Sequence, residues 1–273
     1  MTYTLIETDD PSGLMPEGLY TAEKDKNLYI FAALEKKTVL SHVVFSIRRG
    51  ENQARLIYLY TQPQQQRRGL AAGLLDYAED RLKAAGIKSI RAVFTQSVDR
   101  AEGLINFMEN IGYDLQAEPL YILSYNKCIY DNKLTDFYEK NRKQLPGQQA
   151  LESAEDIRLK MLMAYMREES GYDISLNRIW LKACYIHMEN GEVKAGSLVK
   201  RYKDTALLQY VYCPEERNLL MTTILGYFVE CCKSEGIEQV QFCADTLTDR
   251  DFIRHITCRE DQQLLSFEYA RFV

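Results

Sequence analysis

Residues 56–75 read "LIYLYTQPQQQRRGLAAGLL", and the reading of this stretch decides the rest. Leu56 to Tyr60, "LIYLY", is aromatic and branched enough for a buried strand. Pro63 and the glutamines that follow break it. After Gly69, apolar residues fall at Leu70, Ala71, Leu74, Leu75, Ala78 and Leu82, which is helical spacing. Lys83 sits in the last turn and Gly86 is placed to cap it. Two arginines and a glycine therefore stand where a strand hands over to a helix. The first amides of a helix have no partner inside it, and with the helix dipole they make an anion site. Gly69 has no side chain to block an approaching ligand, and Arg67 and Arg68 add positive charge. The local reading is a phosphate cradle, and solvated surface arginines on a turn are its plain alternative. Neither the Walker loop nor G-x-G-x-x-G is present.

Outward from this junction the pattern continues. "KSIRAVF" (88–94) is a second strand. Asp99 and Glu102 resemble a capping box, opening a helix with Ala101, Leu104, Ile105, Met108 and Ile111 on its apolar face and Gly112 at its end. Upstream, "NLYIFAALE" and "TVLSHVVFSIRR" are two strands joined at the "KK" turn. The expected class is α/β, with a mixed sheet flanked by helices.

The stretch "LYTQPQQQRRGLAAGLL" resembles the central motif of the GNAT superfamily of acyl-CoA N-acyltransferases, Gln/Arg-x-x-Gly-x-Gly/Ala between a strand and a helix. Here it is Gln66-x-x-Gly69-x-Ala71, and the later "NFMENIGYD" with its Gly112-Tyr113 pair matches too. The likeness covers about residues 28–126. It implies acetyl-CoA as cosubstrate, with backbone groups of Leu59, Tyr60 and Thr61 pairing with the pantetheine arm. It further implies that the amides of Gln66, Arg67, Arg68, Gly69, Leu70, Ala71 and Ala72 hold the pyrophosphate, and that the acyl thioester lies in a splay between strands.

A second copy follows. "KAAGIKSIRAVFTQSVDR" (83–100) returns as "KSEGIEQVQFCADTLTDR" (233–250), an offset of 150 residues. Lys83, Gly86, Ile87, Asp99 and Arg100 recur as Lys233, Gly236, Ile237, Asp249 and Arg250. The apolar helix positions keep their phase, and Asn190-Gly191 marks a hairpin. In the second loop the glutamine and glycine are replaced by Glu216 and Leu219, which oppose an anion by charge and bulk. The expected division is a CoA-binding GNAT-like domain at 1–130, a linker at 131–150 closed by Pro146-Gly147, and a degenerate GNAT-like domain at 151–273. Helices are expected near 134–144 and 155–167. Residues 1–27, with "DDPSGLMPEG", suit a loop.

Catalysis is less legible. The resemblance places a proton-donating tyrosine four residues before the Gly-aromatic pair, and Met108 stands there. The strand "LIYLY" carries no carboxylate. Tyr58, Tyr60 and Tyr121 are the candidate donors and His42 the candidate base. Each also has an ordinary packing role in a chain with 19 tyrosines. Two functions stay open: an N-acyltransferase acting on a small-molecule or protein amine, and an acyl-CoA-binding pseudoenzyme that senses or scaffolds.

Composition sets limits. A net charge of -5 does not suit nucleic acid, which wants a basic face. No run approaches the roughly 18 apolar residues of a membrane span. The opening "MTYTLIETDD" lacks the basic and apolar segments of a signal peptide, so a cytoplasmic location is expected. Seven cysteines without a C-x-x-C pair, and three scattered histidines, point to reduced thiols and no metal. Oligomeric state is not legible.

Overall fold

The computed structural model describes residues 1–6, 12–16, 27–141, 151, 153, 155–170, 178–213 and 218–273. They form two compact units, Met1–Pro119 with Ser266–Val273, and Leu120–Leu265.

In the first unit, β1 (Thr2–Ile6), β2 (Asn27–Glu35), β3 (Thr38–Ile47) and β4 (Gln53–Thr61) make an antiparallel meander. The strand β1 lies where a loop was expected; "TYTLI" pairs with β2 from Thr2↔Leu34 to Ile6↔Ile30. The helix α1 (Leu70–Ala84) then crosses over, and β5 (Ser89–Ser97) pairs parallel with β4. The helix buries Leu74, Leu75, Ala78 and Leu82 against the sheet face that carries Phe31, Val43 and Phe45. Each large apolar side chain so buried contributes about 1.5–3 kcal/mol. Gly86, at φ +88°, ends α1 as expected, with the Ile87 amide returning to the Leu82 carbonyl at 3.0 Å. Next come α2 (Val98–Asn110) and the short β6 (Asp114–Leu115). The expected Asp99/Glu102 capping box does not form: the N-cap is Ser97, with no side-chain cap. In the second copy the box is present, with Thr246 and Asp249 as reciprocal partners. In the first copy the helix already starts at Val98, so Asp99 lies in its first turn and not at the cap.

The second unit contains β7 (Leu120–Tyr125), α3 (Lys133–Asn141), α4 (Ile157–Ser170), β8 (Ile186–Glu189), β9 (Glu192–Tyr202), β10 (Thr205–Tyr212), α5 (Asn218–Ser234), β11 (Gln239–Ala244) and α6 (Leu247–Ile256). The last strand, β12 (Gln262–Phe272), runs from this unit into the first. The repeat read from the sequence is real: β8–β9–β10 are antiparallel neighbours and β10–β11 are parallel, as β2–β3–β4 and β4–β5 are. The hairpin at Asn190-Gly191 has both residues at positive φ. Helices α3 and α4 fall at the two segments expected to be helical.

The units divide the chain differently from the expected boundaries. The strand after α2 does not close the first sheet. Instead β7 pairs antiparallel with β11, from Val240↔Tyr125 to Ala244↔Tyr121, and Leu123 and Tyr125 are fully buried in the second core. Helix α3, part of the expected linker, packs on α5. In the first unit the place beside β5 is taken by β12. Phe267 and Tyr269 are buried there, and Glu268 pairs with Arg91 at 2.6 Å. The copies have exchanged their final strands.

The end of β12 is held by a buried charge network. Glu79 on α1, 5% exposed, accepts from the Tyr113 hydroxyl at 2.9 Å and from Arg271 at 3.1 Å. Burial raises the pKa of Glu79, and its two partners oppose the shift. Arg271→Ala is expected to lower the unfolding free energy by about 3 kcal/mol at neutral pH, because it strands a buried carboxylate. A carboxyl whose pKa is raised on folding contributes fully at acid pH, and its contribution is lost as the pH climbs through the folded value. The loss in Arg271→Ala should therefore shrink at mildly acid pH, and urea unfolding at both pH values checks it. An equal loss at both would show that Glu79 is not the group involved.

Candidate acyl-CoA site

The parallel pairing of β4 with β5 runs only from Gln53↔Ser89 to Leu56↔Ala92. At that point the β3–β4 register shifts, leaving Ile57 as an extra residue on β4. Beyond the bulge β4 and β5 part, and the edge of residues 57–61 is open on the β5 side. The second unit repeats the device: β10–β11 pairing stops at Leu208↔Phe242 and the register shifts at Gln209.

The open edge leads into the cradle. Gln62 anchors the loop by donating its backbone amide to the Leu40 carbonyl (2.9 Å) and its side chain to the Val39 carbonyl (2.7 Å). Gln66 braces it from the other side, its side-chain amide donating to the Thr61 carbonyl at 3.1 Å. Arg67 has φ +60° and Gly69 φ +75°. A left-handed residue on either side of Arg68 turns successive amides toward one concavity, the backbone arrangement of an anion nest. The first hydrogen bond inside α1 is Gly73 N–H to the Gly69 carbonyl, 3.0 Å. The amides of Leu70, Ala71 and Ala72 therefore have no intrahelical acceptor. A Cβ on Gly69 would meet no protein atom within 4 Å. The glycine is required by the left-handed backbone, not by crowding within the chain.

Cradle and open edge share one groove of about 680 Å³. Of the residues expected at the cofactor, Leu59, Thr61, Gln66, Arg67, Gly69, Leu70, Ala71 and Ala72 lie on its wall. Arg68 is not among its lining residues and donates to the Gln65 side chain at 3.0 Å. The opposite wall is α2, with Gly103, Leu104, Phe107, Asn110 and Ile111. Met108, on the same helix, is fully buried and has no proton to give. Phe107 was not singled out in the sequence. Its signal is a helical position next to the buried Met108 stripe, which leaves it at the edge of the packed face.

Successive residues of β4 face opposite ways. Leu59 and Thr61 turn to the groove, while Tyr58 and Tyr60 turn to the other face of the sheet and flank His42. Ring centres are 5.6 Å apart for His42–Tyr58 and 5.5 Å for His42–Tyr60. His42 is 7% exposed. Its Nε2 lies 2.5 Å from the Leu14 carbonyl, so Nε2 carries the proton and donates. Nδ1 is then an unprotonated acceptor, and it is buried without a partner among the described residues. Burial lowers the His42 pKa, only partly offset by the Leu14 bond, so the ring is neutral at physiological pH. Burial, and secondarily Tyr60, raise the pKa of Tyr58, which keeps its proton. Tyr121 does not join this group. It lies on β7 in the second unit, with the Arg250 guanidinium 5.3 Å from its ring centre. The expectation that it serves the first copy is corrected by the strand exchange.

At the matching place in the second unit the cavity is about 120 Å³. Met221, where the first copy has Ala71, and Phe252 help to line it. Glu215, Glu216 and Arg217 lie outside the described residues. The chain is also shorter there: 11 residues separate Leu208 from Leu220, against 13 between Leu56 and Leu70. Among the described residues no His, Cys, Asp or Glu cluster is arranged for a metal, and no helix is long and apolar enough to cross a membrane.

Comparison with known proteins agrees with this architecture. Residues 2–113 match the model of the acetyltransferase (GNAT) family. That match spans the first copy and less than half of the chain. No curated protein sequence matches it. Among solved structures it is similar to a tandem GNAT protein from the clavulanic acid biosynthesis pathway, at 12% identity and TM-score 0.56, over 90% of this chain and 83% of that one. A GCN5-related N-acetyltransferase from Sphaerobacter thermophilus aligns at 13% identity and TM-score 0.53, over 90% and 81%. The glucosamine N-acetyltransferase region of a fungal multi-domain GH3 β-N-acetylglucosaminidase aligns at 14% and 0.66, over 97% of this chain and 38% of that one. At such identities the likeness is one of fold. The family match covers the first, motif-bearing copy, and the neighbours share the fold over both copies.

Proposed function

We propose that the first unit is a cytoplasmic N-acyltransferase that takes acetyl-CoA as donor and an amine, free or on a protein, as acceptor. The observation that carries this reading is that the open β4 edge and the unpartnered amides of α1 share one groove. That groove fits a long ligand with a hydrogen-bonding arm and a pyrophosphate. The amides of Arg67 and of Gly69 to Ala72 hold the diphosphate, the backbone of Leu59 to Thr61 aligns the arm, and Arg67 adds charge to an acidic protein. The reacting carbonyl is then presented at the gap where β4 and β5 part. His42 Nδ1, on the other face of β4, accepts the proton that the amine must lose. Tyr58 or Tyr60 returns a proton to the leaving thiolate. In the second copy the narrow cavity and acidic loop favour a supporting, non-binding unit.

The test is turnover with acetyl-CoA against a broad panel of amines, following free thiol. Thiol release that depends on an amine is the expected result. The buried Met108, where the resemblance implies a tyrosine, keeps a second reading alive: a protein that binds acyl-CoA as a sensor. Tight CoA binding with no amine-dependent thiol release would favour it.

A further inference from the structure

A second groove, of about 640 Å³, opens in the first unit at the other end of α1. The helix has 15 residues, so this groove lies about 20 Å along it from the CoA cradle. Its floor is apolar: Phe31, Leu82 and Ile87 are buried and Tyr77 half-buried. Its rim is cationic. Arg48, Arg49 and Arg81 all line it, and Glu51 is the one carboxylate among the described lining residues. Arg48 stands 3.6 Å from Glu51, with both side chains well exposed. Among the described residues Arg49 and Arg81 have no carboxylate partner. The Arg81 guanidinium sits 5.2 Å above the Tyr77 ring, which holds its fork at the groove's edge.

Among the described lining residues, three arginines against one glutamate give a charge of about +2 in a protein whose net charge is -5. The negative end of α1 does not cancel it. The carbonyls of Arg81, Leu82 and Lys83 are occupied by the amides of Ala85, Gly86 and Ile87. Tyr29, 37% exposed, lines the same groove. Guanidinium forks recognise phosphate in a planar, two-bond geometry. The room exceeds what a bare anion fills and lies in the range of small-ligand sites.

We propose that this groove binds an aromatic phosphomonoester of nucleotide size. Its dianionic phosphate is held by Arg48, Arg49 and Arg81, and its ring rests against Tyr29 above the Phe31 floor. The site is separate from the CoA cradle and does not depend on the acyltransferase reading.

The probe is adenosine monophosphate, titrated calorimetrically into the full chain with and without saturating CoA. Binding is expected in both, with affinity unchanged by CoA. Arg49→Ala and Arg81→Ala should each weaken it about tenfold. Both side chains are exposed, so melting temperature and CoA binding should stay as in the wild type. Tyr29→Leu should weaken the nucleotide and leave inorganic phosphate unaffected. Absence of binding overturns the proposal, as do unchanged affinities in the arginine variants. Competition by CoA, or loss of binding in Gly69→Val, would place the nucleotide in the CoA cradle and overturn it too. Inorganic phosphate binding as tightly as the nucleotide would reduce the groove to an anion patch and refute the aromatic half.

Discussion

Replacing His42 with glutamine is expected to lower kcat by about 10²–10⁴-fold and leave the affinity for acetyl-CoA nearly unchanged, since general base catalysis is worth that much. Glutamine is the chosen replacement because its side-chain amide can still donate to the Leu14 carbonyl, as Nε2 does at 2.5 Å. The covering contact with residue 14 is then kept, and only the Nδ1 lone pair is removed. CoA affinity is spared because His42 and the groove lie on opposite faces of β4. The pH profile separates a base from a packing residue. Burial lowers the His42 pKa from its ordinary value of 6.5. The neutral form is the active one, so activity should rise with pH through a midpoint below 6.5 and then level off. In His42→Gln that limb should vanish along with most of the rate. An acceptor amine of low pKa keeps substrate ionisation from masking it. Wild-type turnover and an unshifted profile in His42→Gln would show the ring to be structural. Tyr58 and Tyr60, which share its pocket, would then be left without a base to work beside.

What the sequence made legible, and what it hid, divides along the range of the forces involved. The apolar run of "NLYIFAALE", the helical phase of Leu70 to Leu82 and the glycine caps at Gly86, Gly112 and Gly236 are local. All appear where expected, with these three glycines at positive φ. The 150-residue repeat is legible for the same reason, because each copy obeys the same local rules. The strand exchange is not local. "LYILSY" and "QQLLSFEYARF" are apolar enough to suit either sheet, and nothing in a strand's own pattern names its neighbour. Tyr121 was misplaced through that gap. The groove shows the same split. Its floor follows from one strand-turn-helix unit, so Leu59 to Ala72 could be named. Its far wall comes from α2, where Leu104 and Ile111 look like ordinary core positions. The contact that fixes the His42 tautomer spans 28 residues. The bulge at Ile57, which opens β4 from β5, leaves no mark in the run "LIYLY".

Gly69→Val should abolish most of the stabilisation that CoA confers, while Gly69→Asn should retain much of it. Gly69 sits at φ +75° and ψ 2°, as the N-cap of α1. A Cβ there meets no protein atom, so any defect comes from backbone conformation and from the ligand side. Asparagine tolerates the left-handed region, whereas a β-branched residue is an outlier in it. Valine is expected to turn the backbone over, which re-aims the amides that follow it and projects two methyl groups into the groove. Each charge-assisted hydrogen bond lost from the diphosphate costs about 1.5–3 kcal/mol, or about one to two decades in affinity. The melting shift caused by CoA follows the ratio of its concentration to its dissociation constant. A decade or two of lost affinity therefore removes most of that shift at moderate CoA. Strain of about 1–3 kcal/mol will also lower the melting point of unliganded Gly69→Val. The readout is consequently the difference with and without CoA in each protein, not the absolute temperature. Calorimetry on the wild type should count one CoA per chain, because the second copy offers a cavity of about 120 Å³ against 680 Å³ in the first. If CoA shifts wild type and Gly69→Val by the same amount, "QQQRRGLA" is an ordinary surface turn. The diphosphate must then be held elsewhere, and the acyl donor loses the anchor that brings its carbonyl to the gap between β4 and β5.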